Sequence, residues 1–459
     1  MLAADGCLNI EDDVRAHIPT FPHLEAPITL AHLMHNTSGI RDMLEIMRLG
    51  GVDLGQACTE QDLLDALWRQ RNLNFPPNTR YLYSNSNFML LGHVVERVSG
   101  EPLANFLDRH FFAPLGMMMT RHTPTTDELV PDLATGYLPA PNGWRRAWHR
   151  FPLHGEGGLV SSVEDLALWH AQSIVPAPHG DTLAEALATM TPFENGTPNT
   201  YACGLRIIIW RGVRTIGHDG LWPGFKTSFV RIPDHHAAVI CISNDGTSDP
   251  HDLAFHVLDA LIDSQPGVQP VPPMPQWATA PELLGRYVDP RTGVTVDVGR
   301  DAHGRITANQ HGVTTWMLPT EDGRLATSRG SGDFTMRFMH DGLHVERDAG
   351  VLETLRRAAT EPRLPADLPG RYANADTAVI WTITATEAAG ELHVSGPLLT
   401  KVGPWEIEPI DGDCIRICTP LMLYPGWMDV ILQRDAGGQV TGLHVDGGRV
   451  KGLVFSRLI

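Results

Sequence analysis

Between Ser264 and Pro281 the chain reads SQPGVQPVPPMPQWATAP, and no other stretch constrains its fold as strongly. Proline fixes φ and lacks the backbone donor, so this density of prolines excludes a helix or a central strand and leaves a linker. A second break, Glu361-Pro362-Arg363-Leu364-Pro365, interrupts the chain again ahead of Pro369. The expected organisation is one unit over 1–265, a linker over 266–281, and two smaller units over 282–360 and 365–459. A length of 459 residues has room for such a set.

The first unit mixes signals. Glu60 to Arg71 and Phe88 to Ser99 repeat apolar residues at helical spacing, while Ala237 to Ile242 is a short apolar run closed by Asn244-Asp245-Gly246. The two later units alternate like strands, as in Val294-Thr295-Val296-Asp297-Val298 and Asp429-Val430-Ile431-Leu432, between Asp-Gly and Gly-Gly turns. They open alike, on Leu284-Gly285-Arg286-Tyr287 and Leu368-Pro369-Gly370-Arg371-Tyr372. The fold class expected is therefore α+β, an antiparallel sheet with helices followed by two antiparallel β-barrels. Gly-Arg-Tyr could equally be no more than a way to start a strand, with glycine relieving crowding beneath a tyrosine.

Charge narrows the partners. Against 53 acidic residues stand 35 basic ones, a net charge of -18, so the electrostatic footprint for phosphate backbones is missing and nucleic acid is not an expected partner. No apolar run approaches the roughly 18 residues of a membrane helix. Six scattered cysteines form no CxxC pair, which argues against a zinc-cysteine site and a disulfide framework and favours a reducing compartment such as the cytoplasm.

Three features of the first unit could carry chemistry, and none is a phosphate loop, an HExxH site or a dinucleotide fingerprint. Tyr83-Ser84-Asn85 lies on a turn ahead of the helix expected to open near Phe88. Tyr83 could move a proton and Asn85 could orient a substrate amide. Lowering a phenol by about three pKa units costs roughly 4 kcal/mol, so a base role needs cations nearby; otherwise Tyr83 merely caps a core edge. His218-Asp219-Gly220 opens a hairpin that continues through Thr227 to Ile232. In a strand, positions 218 and 220 share one face, so His218 would project into a cleft while Gly220 lets a substrate backbone approach; a structural histidine is the plainer alternative. Gly155-Glu156-Gly157-Gly158 with Ser161, Ser162, Glu164 and Asp165 reads as a close-approach turn and a helix start.

Taken in order, these features resemble the serine β-lactamase and DD-peptidase superfamily in its class C-like branch. Ile28 to Ile40 looks like that family's segment after the nucleophile helix, Tyr83-Ser84-Asn85 matches its Tyr-x-Asn, and the glycine-rich turn matches G-x-G-G-L-x-S-S-x-x-D-L. His218-Asp219-Gly220 matches its H-x-G. With two lipocalin-like barrels behind it, the chain is most similar to the D-stereospecific aminopeptidases. That resemblance implies acyl transfer through a serine ester, releasing N-terminal D-residues from peptides, amides or esters. Esterases, β-lactamases, DD-carboxypeptidases and a non-catalytic peptide-binding homologue are the alternatives. Tyr83 and His218 would be catalytic, Asn85 and Gly220 would bind substrate, and neither a metal nor an organic cofactor would be needed. The partner would be a small peptide or amino-acid amide, with room for a homodimer and no role for nucleic acid or membrane.

One element of the pattern is missing. The family's Ser-x-x-Lys belongs upstream of Thr29, yet the only lysines are Lys226, Lys401 and Lys451, preceded three positions earlier by Pro223, Leu398 and Gly448. Because Tyr83, Asn85 and His218 are retained together, the expectation is a start placed downstream of the true one rather than a lost nucleophile. The absent strands would then leave sheet backbone and apolar surface exposed, giving poor solubility.

Overall fold

The computed structural model describes residues 1–459 except 53–54, 126–127, 173–179, 328–333, 388, 420–425 and 459. In the first unit, β1 (Arg206–Trp210), β2 (Val213–Trp222), β3 (Phe225–Ile232) and β4 (Ala237–Ser243) form an antiparallel meander in that order. The helix Pro250–Ile262 covers it, burying Phe255, Leu258 and Ile262 against Val213, Val230, Ile232 and Val239. Among the described residues β4 has no further strand on its outer edge, and Ile242 there is exposed.

A helical layer holds α1 (Met43–Leu49), α2 (Glu60–Trp68) and α3 (Asn85–Ser99). Thr59 and Asp62 form a capping box that starts α2. The helix expected from Phe88 opens three residues earlier, at Asn85. The cause is Asp42, whose carboxylate accepts the Asn85 backbone N–H at 2.8 Å and the Glu45 N–H at 3.0 Å, so one buried side chain serves the first turns of both α3 and α1. At the far end, Gly100 takes φ of 75°, a left-handed stop that glycine adopts without strain.

The remaining strands close into two eight-stranded antiparallel barrels, over Gly285–Val288 to Val351–Arg357 and over Gly370–Asn374 to Leu453–Arg457. Gly-Arg-Tyr has a shared role. Tyr287 and Tyr372 are fully buried; their hydroxyls donate to the carbonyls of Leu283 and Leu368 at 2.8 and 2.6 Å, under the guanidinium groups of Arg357 and Arg457. The last residues of the proline-rich stretch are not plain linker. Gln276–Thr279 makes a 3-10 turn, Ala278 joins the first barrel's core and the Trp277 indole donates to the Gly323 carbonyl at 3.0 Å, because these apolar side chains gain by burial.

The barrels attach differently. A continuous apolar cluster joins Leu33, Met43, Ile46, Leu49, Leu63 and Leu90 of the first unit to Trp381, Val394, Ile417 and Phe455 of the second barrel. Across this seam Arg41 donates to Asp376 at 2.8 Å and Arg48 to Thr419 at 2.8 Å. The first barrel keeps a separate core and meets the helix Pro250–Ile262 through Arg305–Asp252 at 3.2 Å. The barrels meet each other at Arg416–Asp297 and Thr295–Asp429.

Candidate functional site

Tyr83 sits two residues before α3, and His218 lies near the middle of β2. Their rings approach to 5.8 Å between centroids, and Tyr201 completes the group at 6.2 Å from Tyr83 and 5.8 Å from His218. His218 Nδ1 lies 2.7 Å from the Asp219 carbonyl, which can only accept, so Nδ1 carries the proton. Nε2 is then the acceptor for the Tyr201 hydroxyl at 3.1 Å. The hydroxyl that His218 bonds is thus that of Tyr201.

Asn85 is adjacent but committed. Its Nδ2 donates to Asp42 at 2.7 Å, so the amide is held toward the helix junction by the same carboxylate that accepts its backbone N–H. The link to the tyrosine comes from the second barrel. Arg449, in the turn after the strand Val440–Asp446, lies over the Tyr83 ring at 4.7 Å and 3.7 Å from Asp42. Its backbone carbonyl accepts from Asn74, which fixes the turn against the first unit.

Gly220 continues the His218 strand. A Cβ there would meet Thr227 Oγ1 at 2.4 Å, so any larger residue would have to turn the hydroxyl of its cross-strand neighbour aside. Pairing of β2 with β1 stops at Gly217–Arg206. Residues 218–222 pair only with β3 among the described residues, leaving the other edge of the strand for an extended ligand. On the opposite side Asp219 accepts from His251 Nδ1 at 2.8 Å and ties this strand to the helix Pro250–Ile262.

Electrostatics follow from burial. Burial pushes the Tyr83 phenol above its ordinary value, with Asp42 and Glu156 acting the same way and Arg449 opposing them, so Tyr83 is a hydroxyl donor at neutral pH. Burial also pushes His218 down, against the pull of Asp219 and with Arg206 and Arg449 adding to it, so the imidazole is neutral. Asp42 is pushed up by burial against the pull of Arg449 and Asn85. One group of described residues has metal-ligand geometry, Glu60, His93 and His154, and it shares α3 through His93.

Of the residues singled out in the sequence, the structure brings Tyr83 and His218 together, holds Asn85 on Asp42 and places Gly220 further along the His218 strand, while Asp42, Tyr201 and Arg449, which join them here, carry no motif. Asp42, two residues past Ile40, carried the signal of an acidic helix cap. Nothing local marks Arg449, which is placed only by the packing of the second barrel.

Comparison with known proteins gives the same outline. Residues 1–262 match the protein family described as Beta-lactamase. A D-aminopeptidase of Cereibacter sphaeroides is 27% identical over 95% of this chain and 83% of the relative. A D-aminopeptidase of Brucella ovis is 26% identical over 93% of this chain and 80% of the relative. In fold, the octameric penicillin-binding protein homologue from Pyrococcus abyssi superposes with a TM-score of 0.51 at 20% identity, over 77% of this chain and 84% of that one.

Proposed function

Because this chain belongs to the Beta-lactamase family, we propose that its cleft serves acyl transfer from substrates with an N-terminal D-amino acid, as a D-aminopeptidase-like serine hydrolase. The observation that carries this reading is the convergence of Tyr83, Tyr201 and neutral His218 beside the unpaired edge of residues 218–222. The relatives named D-aminopeptidase, similar along nearly the whole chain including both barrels, support the substrate class.

In the chemistry proposed, a serine hydroxyl adds to the substrate carbonyl and the amine leaves with a proton. Water then hydrolyses the ester to the free acid. Residues 1–459 hold no Ser-x-x-Lys to supply that serine and its lysine. This chain's own residues would do the rest. Tyr83 gives a proton to the departing amine, His218 through Tyr201 keeps the hydroxyl side of the cleft ordered, and the strand at Gly220 pairs with the extended substrate and supports the developing oxyanion. Asn85, held by Asp42, positions the start of α3 and not a free amide.

A second reading is a homologue that binds peptides in the same place without turnover. Initial rates on D-alanyl and L-alanyl p-nitroanilide, p-nitrophenyl butyrate and nitrocefin decide between them. Preference for the D-anilide by about a hundredfold supports the proposal. Faster L-anilide, ester or nitrocefin turnover overturns the substrate class, and binding with no turnover of any of the four selects the second reading.

A further inference from the structure

We propose that Glu60, His93 and His154 form a binding site for one divalent transition-metal ion of the zinc class, a site whose existence does not depend on the hydrolase reading. The three come from separate elements. Glu60 is the first residue of α2, His93 lies within α3, and His154 precedes the glycine turn. Their ligand atoms all lie within 4.8 Å of one another.

The two imidazoles stack with centroids 4.4 Å apart and an interplanar angle of 27°. His93 Nε2 faces Glu60 Oε1 at 3.1 Å, and His154 Nε2, 3.6 Å from Glu96 Oε2, is buried without a hydrogen bond. A buried polar nitrogen is normally satisfied, and a cation shared with Glu60 and His93 would satisfy that of His154. Tetrahedral zinc with bonds of about 2.0–2.1 Å places ligand atoms roughly 3.4 Å apart. The Glu60 side chain is 46% exposed, so it has room to adjust as a ligand.

Glu96 extends the set. It follows His93 by three residues on the same helix face, its Oε1 is fixed by the Leu103 N–H at 2.8 Å, and its other oxygen faces His154. A cavity of about 250 Å³, lined by Glu60, His154, Glu156 and Met89 among others, gives the site room and access. Two imidazoles with one or two carboxylates suit zinc-class ions, whereas calcium and magnesium prefer all-oxygen shells.

The position gives such an ion a structural task. Gly155 packs so close to α3 that a Cβ would lie 2.1 Å from the Phe88 carbonyl, which seats His154 against the helix. A metal there would clamp α2, the glycine turn and the helix that begins at Asn85.

The test is calorimetric titration of the chelator-treated full chain with Zn2+, with Co2+ absorption as a coordination readout. The expected result is one saturable site per chain, visible cobalt bands of a four-coordinate centre and a raised Tm. E60Q, on an exposed helix start, and H154Q should each weaken zinc at least about tenfold, while H235Q leaves it unchanged. Absence of a saturable site overturns the proposal, as does zinc affinity that E60Q and H154Q leave intact, since the ion would then sit on other histidines. Should H154Q fail to fold, E60Q alone decides.

Discussion

In the first barrel, the turn between the seventh and eighth strands carries Ala349 to the edge of the aromatic cluster of Tyr81, Tyr83 and Tyr201, where its carbonyl accepts from Asn195 at 3.0 Å. In the second barrel the equivalent turn carries Arg449 over Tyr83 and beside Asp42. The strands leading into these turns even share Gly-Leu-His-Val, at 342–345 and 442–445. One scaffold thus brings a small apolar residue against the aromatic cluster from one barrel and a cation over Tyr83 from the other. The cation comes from the barrel whose core is fused to the helical layer; the apolar residue comes from the barrel with a core of its own. A turn that must aim a charge needs a rigid base, and a turn that only covers a surface does not.

The sharpest way to break this contrast is in the cores. Trp381 is fully buried, stacks on Phe455 at 3.8 Å and donates to the Leu49 carbonyl. W381A should cost about 3–5 kcal/mol in chemical denaturation and raise hydrogen exchange in α1 and α3 as well as in its own barrel. Y287A should cost a similar amount, with faster exchange confined to the first barrel. Exchange in α1 unchanged by W381A would remove the distinction between the barrels.

Next in size is the cation. R449A leaves buried Asp42 without its nearest charge, an effect of about 1–3 kcal/mol by thermal melting, given that the pair stands 3.7 Å apart and Arg449 is partly exposed. It should also move the Tyr83 titration further up, seen as the ultraviolet pH difference between R449A and R449A/Y83F. N195A, which loosens the first barrel's turn, should stay within about 0.5 kcal/mol and leave Tyr83 unmoved.

A smaller effect separates His218 from its surroundings. Its native pKa lies below the unfolded value, so the unfolded chain takes up a proton first as pH falls. The stability contribution is present above about pH 6.5 and is lost with acid below it. Urea unfolding at pH 7.5 and 5 should show that loss in the wild-type chain and less of it in H218N. An identical pH dependence would mean that His218 is protonated in the cleft.

Much of this was legible in the sequence. Alternation and Asp-Gly turns gave the barrels because strand periodicity is local, and Tyr83, His218 and Gly220 stood out because their motifs are contiguous. The opening of α3 was misplaced because its first donors are satisfied by Asp42, far upstream. Arg449 stayed hidden for a stronger form of the same reason: Tyr83 and Arg449 stand 366 positions apart and meet only after a barrel has closed and docked.

The central claim is that Tyr83, His218 and Arg449 border one groove that reads an N-terminal D-residue, and binding can test it without turnover. Calorimetric titration of D-alaninamide and L-alaninamide into the wild-type chain, H218A and R449A is the direct measurement. The account predicts preference for the D-ligand by about tenfold in the wild type and loss of that preference in both variants. Equal affinity for the two hands, or a preference that survives both substitutions, would contradict it.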